Sequence, residues 1–118
     1  MKIRIKRVYE PAEKADGLRV LVDRLWPRGI AKTRIDLWLK DIAPSTDLRE
    51  WYGHVPEKWP QFRTKYRKEL AGNDEAVAAL KRAGKGKTVT LLYGARDTER
   101  NQAQVIAEFL ARKAKPRA

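Results

Sequence analysis

Two short apolar runs, each leading directly into charged residues, constrain this sequence more than any other feature. One occupies residues 18–25 (LRVLVDRL) and the other occupies residues 88–93 (TVTLLY). Both are rich in β-branched and aliphatic residues, which is typical of buried strands. Amphipathic helical patterns separate and follow them. We therefore predict an α/β fold, a single compact domain with a small, mainly parallel or mixed sheet flanked by helices.

A further strand is predicted near the start of the chain, where Ile3 and Ile5 alternate with basic residues. This alternation indicates a strand with one polar face or an edge position. The connection from Tyr9 to Gly17 is short for a crossover between parallel neighbours, which usually needs about a dozen residues or more. We therefore expect the first two strands either to pair antiparallel or to be separated in the sheet.

Cap residues and apolar residues three or four positions apart predict four helices. In chain order, these helices begin at Ser45, in the turn before Phe62, after Asn73, and at Asp97 or Thr98. Ser45 is expected to act as a cap and not as a nucleophile, because no Gly-x-Ser-x-Gly motif surrounds it. Residues 31–43 suit both a strand and a helix. There we favour a short helical turn near 32–34, followed by a short strand at 37–41.

Length and composition suit one domain over residues 1–118. The chain has 118 residues, of which 42% are hydrophobic, and this is enough to bury a core. Residues 112–118 carry four basic side chains and no acid, so we expect a basic tail whose composition allows disorder. The chain contains no cysteine, which excludes disulfides, thiolate metal sites and cysteine nucleophiles.

The first ten residues alternate charged and apolar side chains and lack the apolar core of a signal peptide. No segment approaches the roughly 20 consecutive apolar residues that span a bilayer. We therefore expect a cytoplasmic protein with no membrane span, and the sequence leaves its oligomeric state open.

The formal net charge is +12, from 27 Lys and Arg residues against 15 Asp and Glu residues. A charge of this size attracts polyanions at long range. It leaves two partner classes open, an anionic small molecule and nucleic acid, beside the simpler interpretation of a solvated surface with a basic tail.

Polar loops follow both apolar strands and hold the candidate ligand-binding residues. The carboxyl ends of neighbouring parallel strands meet at one edge of a sheet, where α/β proteins bind ligands. Arginine there offers planar, bidentate donation, and the start of a following helix adds N–H groups and partial positive charge. The pattern predicts an anion site, although ion pairs between Arg24 and Asp97, or Asp23 and Arg96, would equally suit it. The predicted ligand-binding residues are Asp23, Arg24, Trp26, Arg28, Arg96, Asp97 and Asn101, the last of them one turn into the final helix.

Three functions suit these residues. The first is a domain that binds a phosphorylated or other anionic ligand through the arginines of the strand-end loops. The second is nucleic-acid association through the basic surface, with Trp26 stacking on a base. The third is a hydrolase or transferase for a phosphate-bearing substrate, with Asp23 or Asp97 as a base or magnesium ligand. Within the first loop, we expect Asp23 to serve mainly the fold and Arg28 mainly the ligand.

No motif identifies a cofactor. The sequence has no Walker loop, no Gly-x-Gly-x-x-Gly motif and no helix-turn-helix signature. With one histidine and no cysteine, a transition-metal site is not expected. That histidine, His54, suits either general acid–base chemistry or a structural place, as a helix C-cap or beside Trp51 or Trp59.

The loop at 23–29 has the sequence DRLWPRG, and Trp38, Ala43-Pro44-Ser45 and Ala95-Arg96-Asp97 follow it later in the chain. Together these motifs resemble the YeaO-like family of uncharacterised bacterial proteins. The resemblance covers nearly the whole chain and implies an α/β fold without an assigned activity. In wider relatives a Cys-His-Arg triplet follows the last strand, and here Asn101-Gln102-Ala103 stands in that place. The resemblance therefore supplies no support for chemistry that needs the triplet.

Overall fold

A four-stranded, wholly parallel sheet organises the fold, and its strand order is β1-β4-β2-β3. The structure is a computed structural model that describes residues 1–114. The strands are β1 (Lys2–Arg7), β2 (Leu18–Leu21), β3 (Leu37–Trp38) and β4 (Thr88–Tyr93). The predicted α/β class is confirmed, and the sheet is parallel rather than mixed.

Strand β4 lies between β1 and β2, so the first two strands are not neighbours. Leu91 at the centre of β4 stands opposite Ile5 of β1 on one side and Val20 of β2 on the other. The connection from Tyr9 to Gly17 therefore leaves a gap of one strand, which β4 fills. The expected separation of the first two strands is confirmed, and the antiparallel alternative is wrong.

Four α-helices occur within residues 1–114, namely α1 (Thr46–Tyr52), α2 (Trp59–Ala71), α3 (Asp74–Gly84) and α4 (Gln102–Ala114). Short 3₁₀ helices occupy Lys14–Asp16, Lys32–Arg34, Lys40–Ile42 and Pro56–Lys58. Ser45 caps α1 as predicted, because its hydroxyl oxygen accepts a hydrogen bond from the Leu48 N–H at 3.2 Å. None of the described helices is both long enough and apolar enough to cross a membrane.

Two predicted strands are shorter in the structure. Strand β2 ends at Leu21 instead of Leu25, because the chain then turns and directs the Asp23 carboxylate to the loop after β4. The strand predicted at 37–41 is limited to Leu37–Trp38, because the chain coils into a 3₁₀ helix directly afterwards.

Helix α4 begins at Gln102, later than predicted. Asp97 does not cap it, because the Asp97 carboxylate accepts the backbone N–H groups of Glu99 and Arg100 at 2.9 and 3.0 Å and closes a separate turn. Asn101, expected one turn into the helix, instead precedes it, and its side-chain oxygen accepts the N–H three residues later at 3.2 Å.

The predicted basic tail at 112–118 falls partly within α4. The helix continues to Ala114, so residues 112–114 are helical. The rest of the predicted tail, residues 115–118, lies outside the described residues.

The main hydrophobic core lies between one face of the sheet and all four α-helices. Val20, Val89 and Leu91 point to this face at alternate positions of their strands. The helical residues packed against them include Leu48 and Tyr52 of α1, Phe62, Tyr66 and Leu70 of α2, Val77 and Leu80 of α3, and Val105, Ile106, Phe109 and Leu110 of α4. The apolar faces predicted for α2 and α4 are therefore the faces that are buried.

The opposite face of the sheet is covered by loops. A second, smaller core forms there from Leu21 and Leu92 of the strands and Val8, Ile30 and Ile35 of the loops. This face also carries a buried cluster of charged residues, which the apolar face lacks.

Asp16 is the centre of that buried cluster. It is fully buried and forms an ion pair with Arg19, which is only 6% exposed. Lys6 Nζ lies 3.1 Å from the same carboxylate, and the Thr90 hydroxyl donates to the Asp16 carbonyl at 2.7 Å. Burial alone would raise the pKa of Asp16, but the Glu13 N–H and the two cations outweigh burial and lower that pKa. The cluster fastens the β1–β2 connection to three strands.

We expect Asp16→Ala to lower the free energy of unfolding at neutral pH by about 3 kcal/mol, because Arg19 would remain buried without its counter-charge. Urea unfolding followed by circular dichroism measures the change. Glu108→Gln is the matched control, because the half-exposed ion pair of Glu108 with Arg63, at 2.6 Å, contributes less than about 1 kcal/mol. Equal losses in the two variants would contradict the anchoring role of the buried cluster.

Candidate functional site

A cavity of about 410 Å³ opens at the carboxyl ends of β2 and β4, at the edge where the sequence predicts an anion site. The loops after these strands and the start of α4 form one side of its lining, which we call the floor. The lining residues are Asp23, Arg24 and Leu25 after β2, Gly94, Ala95, Arg100, Asn101 and Gln102 after β4, Ala43, Pro44, Arg49, Glu50, Tyr52 and His54 around α1, and Phe62 of α2.

Asp23 joins three elements at the floor of the cavity. Its Oδ2 accepts the Gly94 N–H at 2.9 Å, and its Oδ1 accepts a hydrogen bond from the side-chain amide of Gln102. Burial raises the pKa of Asp23 to about 6, although these two hydrogen bonds and the charge of Arg49 favour the ionised form. The carboxyl group therefore changes its charge close to neutral pH.

The approach of the Asp23 carboxylate to the backbone favours a glycine at position 94. A Cβ on Gly94 would lie 2.8 Å from Asp23 Oδ2, closer than van der Waals contact allows. Any other residue would push the carboxylate away from the N–H group that binds it. Gly94 therefore serves close approach, as glycines often do where a polar group meets the backbone.

Arg24 lines the cavity and also fastens the segment that precedes α1. Its Nη2 donates to the Ala43 carbonyl at 3.2 Å, and its Nε donates to the Pro44 carbonyl at 3.4 Å. Among the ion pairs of residues 1–114, none joins Arg24 to Asp97 or Asp23 to Arg96. The structural ion pairs that the sequence suggested are therefore not formed.

Two arginines that were not among the predicted site residues, Arg49 and Arg100, also line the cavity. Arg49 of α1 is exposed and takes part in none of the ion pairs of the described residues. Arg100 pairs with Asp97 at 3.0 Å, and backbone N–H groups of the same turn, that of Arg100 first, lower the pKa of Asp97. Asp97 itself is not part of the lining.

Arg28, Arg96 and Trp26 lie outside this cavity. Arg28 and Arg96 are exposed, and of the three arginines predicted for the site only Arg24 is in the lining of this cavity within the described chain. The loop instead carries Arg28 towards Tyr9, whose hydroxyl donates to the Arg28 carbonyl at 3.0 Å. A separate ligand-binding role for these two arginines stays a prediction.

Asn101 and Gln102 place the start of α4 at the cavity floor. Asn101 is 3% exposed, and its side-chain amide donates to the Asp97 carbonyl at 3.1 Å. Gln102, which the sequence analysis did not name as a site residue, is the partner of Asp23. Its position in the middle of the triplet that the family resemblance aligns with Cys-His-Arg is the signal that could have identified it.

His54 lies at the rim but not beside the predicted aromatic residues. Gly53 caps the end of helix α1 in a left-handed conformation, and His54 follows with a φ of 58°, which is uncommon outside glycine. This turn places the imidazole against Tyr52, with the ring centres 5.9 Å apart. The expected place beside Trp51 or Trp59 is therefore wrong.

The groups that line the cavity are chemically suited to anion binding and proton exchange. Within residues 1–114, no three His, Asp or Glu side chains gather into a group that could hold a metal ion. The lining found in that part of the chain contains no Ser, Thr or Cys. The guanidinium groups can bind an anion, and Asp23 can take up or release a proton near neutral pH.

The family model described as the inactive DUF488-N3 subclade matches residues 2–118. The chain belongs to this family. It is similar to "Uncharacterized protein YeaO" of Escherichia coli (strain K12), with 48% identity over 113 residues that cover 93% of this chain and 97% of that protein. It is also similar to "Uncharacterized protein Rv3073c" of Mycobacterium tuberculosis, with 43% identity over 111 residues that cover 92% and 93% of the two chains. Comparison with solved structures gave no match.

The resemblance to the YeaO-like family is thereby confirmed over almost the full chain. The names of these two relatives state no activity, substrate or partner. The function of the cavity must therefore be argued from its own geometry.

We expect the Asp23 carboxyl group to titrate near pH 6, well above its ordinary pKa of 3.8, because it is buried. The folded chain then holds a proton that the unfolded chain releases. The group therefore stabilises the native state below about pH 4, and this contribution is lost as the pH rises through about 6. Carboxyl carbon-13 shifts followed by NMR measure the pKa directly.

Asp23→Asn provides the control for the pH dependence of stability. Between about pH 4 and pH 7, we expect the free energy of unfolding of the wild type to fall by on the order of 2–3 kcal/mol relative to that of this variant. A pKa change of this magnitude implies an effect of this size. Parallel stability curves, or a carboxyl titration at or below pH 4, would contradict the raised pKa.

Proposed function

We propose that this domain binds a small anionic ligand, such as a phosphate monoester, in the cavity at the carboxyl ends of β2 and β4, and that it binds without catalysing a reaction. The observation that carries the proposal is the grouping of Arg24, Arg49 and Arg100 around one cavity at the start of α4. This is the sequence-based hypothesis of an anion site, with Arg49 and Arg100 in place of Arg28 and Arg96.

The charges of the lining favour an anion. Three arginines face two carboxyl groups, Asp23 and Glu50, and protonation of Asp23 would increase the positive balance further. Arg49 has no counter-charge among the ion pairs of residues 1–114, so its guanidinium group is available to a ligand. The partial positive charge at the start of α4 acts in the same direction.

Binding without catalysis is supported by how the floor of the cavity is built. Both oxygens of Asp23 already accept hydrogen bonds from Gly94 and Gln102. Gln102 occupies the centre of the position where wider relatives have a Cys-His-Arg triplet, and glutamine provides neither a nucleophile nor a titratable group. The description of the family's subclade as inactive agrees with this interpretation.

A hydrolase or transferase acting on a phosphate-bearing substrate is the second candidate. A carboxyl group with a pKa of about 6 at a cavity floor is suited to general base catalysis, and Asp23 has this property. The lining within the described chain contains no Ser, Thr or Cys, so in this mechanism Asp23 would activate a water molecule as the nucleophile. Release of phosphate from p-nitrophenyl phosphate by the wild type, lost in Asp23→Asn, would establish this function in place of binding alone.

Titration with inorganic phosphate, followed by amide NMR shifts, tests the binding proposal. We expect shifts concentrated at Gly94 and Gln102, and we expect Arg49→Gln to weaken the affinity about tenfold, the effect of losing one charged hydrogen bond. Arg28→Gln and Arg96→Gln are matched controls, because these exposed arginines lie outside the cavity. Their affinities should stay within about twofold of the wild type.

Three outcomes would overturn the proposal. A lower phosphate affinity in Arg28→Gln and Arg96→Gln, with the affinity of Arg49→Gln unchanged, would place the ligand at the exposed strand-end loops. Equal losses in all three variants would indicate general charge attraction. Amide NMR shifts spread over the whole surface, without a maximum at the cavity floor, would also indicate general charge attraction.

A further inference from the structure

A second cavity lies along β3, the strand at the open edge of the sheet. Its volume is about 560 Å³, and its lining is Trp26, Lys32, Ile35, Asp36, Leu37 and Trp38, which we call the tryptophan groove. It shares no lining residue with the cavity at the strand ends. A ligand in the tryptophan groove would therefore contact a different set of residues from a ligand in the proposed anion site.

The two indole rings of the groove are held in place by hydrogen bonds. The Trp26 N–H donates to the Ile30 carbonyl, and the Trp38 N–H donates to the Asp23 carbonyl, both at 2.8 Å. The ring centres lie 5.4 Å apart in an edge-to-face arrangement. Trp26 also packs against the smaller core, while Trp38 remains 37% exposed. The groove is thus a preorganised aromatic surface that is open to solvent.

The charges around this surface are predominantly positive. Lys32 lines the groove, and the Lys40 ammonium lies 5.5 Å from the centre of the Trp38 ring. Both lysines are exposed, so they can turn towards a ligand without disturbing the core. The acid of the lining, Asp36, already accepts the Arg19 N–H at 2.8 Å.

We propose that the tryptophan groove binds an unpaired base of a single-stranded nucleic acid. A base would stack on the Trp38 indole, and Lys32 and Lys40 would contact the flanking phosphates. A base has a flat π-face whatever its identity, so the groove would recognise single strands with little sequence preference. Bases within a duplex are already stacked on each other and do not present this face.

Charge complementarity favours nucleic acid over a protein partner at this edge. The chain carries a net charge of +12, which attracts a polyanion and repels a second copy of itself. Strand β3 has only two residues, Leu37 and Trp38, so it offers little backbone for pairing with a strand of another chain. The exposed feature of this edge is therefore its aromatic surface.

Trp51 supplies a matched internal control for an aromatic ring surrounded by lysines. The ammonium groups of Lys58 and Lys65 lie 5.0 and 5.2 Å from the centre of its ring. Trp51 packs against the main core and does not line the groove. A general preference of nucleic acid for basic and aromatic surface would involve Trp51 as much as Trp38.

The test is the affinity of the full chain for a fluorescein-labelled oligouridylate at low salt, measured by fluorescence anisotropy. We expect Trp38→Leu to weaken binding about tenfold, Trp38→Phe to stay within about threefold, and Trp51→Leu to stay within about twofold of the wild type. Lys32→Gln combined with Lys40→Gln changes only exposed side chains, so it tests the groove even if Trp38→Leu fails to fold. This double variant should weaken binding and flatten the slope of log affinity against log salt by about 1.4.

Several results would overturn the proposal. The first two are no binding at low salt and equal losses of affinity in Trp38→Leu and Trp51→Leu. The next two are an affinity for duplex RNA equal to that for the single strand and an unchanged salt slope in the lysine double variant. A fifth result would come from sedimentation. If the wild type forms a dimer and Trp38→Leu does not, a second copy of the chain occupies the groove. None of these results depends on whether phosphate binds at the other cavity.

Discussion

The hydrogen bond from the Gly94 N–H to the Asp23 carboxylate is the contact on which the functional region depends. Because Gln102 donates to the other oxygen of the same carboxylate, one part-buried side chain fixes the ends of two strands and the start of a helix. The Asp23 carbonyl accepts the Trp38 indole N–H, so the same residue also orients the aromatic edge of the sheet. Two separate candidate sites thus share one structural anchor.

The elements of the fold were predictable where local composition alone specifies them. Every residue of the run at 88–93 is β-branched, aliphatic or aromatic, and the run becomes strand β4 in the interior of the sheet. Ser45 caps α1 because a short side-chain oxygen at that point satisfies a free N–H group. Strand order was narrowed but not fixed, because the short connection after Tyr9 excludes only a direct parallel pairing.

The candidate site was predictable only as far as topology determines it. Asp23, Arg24 and Asn101 reach the cavity because they follow strands whose carboxyl ends meet at one edge of a parallel sheet. Arg28 does not, because tertiary contacts such as the Tyr9 hydrogen bond set the course of its loop. Arg49 belongs to a helix whose orientation depends on how Leu48 packs, and the sequence gives no direct signal for that packing.

The pairing of β1 has a consequence for how the protein is made. Strand β1 pairs with β4 alone, from Lys2 opposite Thr88 to Arg7 opposite Tyr93, so it has no partner in the sheet until nearly the whole domain has left the ribosome. Basic side chains at Lys2, Arg4 and Lys6 disfavour pairing of this unpaired strand with the sheet of another nascent chain. Assembly of the sheet is therefore a late, long-range event. A chain whose synthesis stops before β4 lacks the strand that lies between β1 and β2.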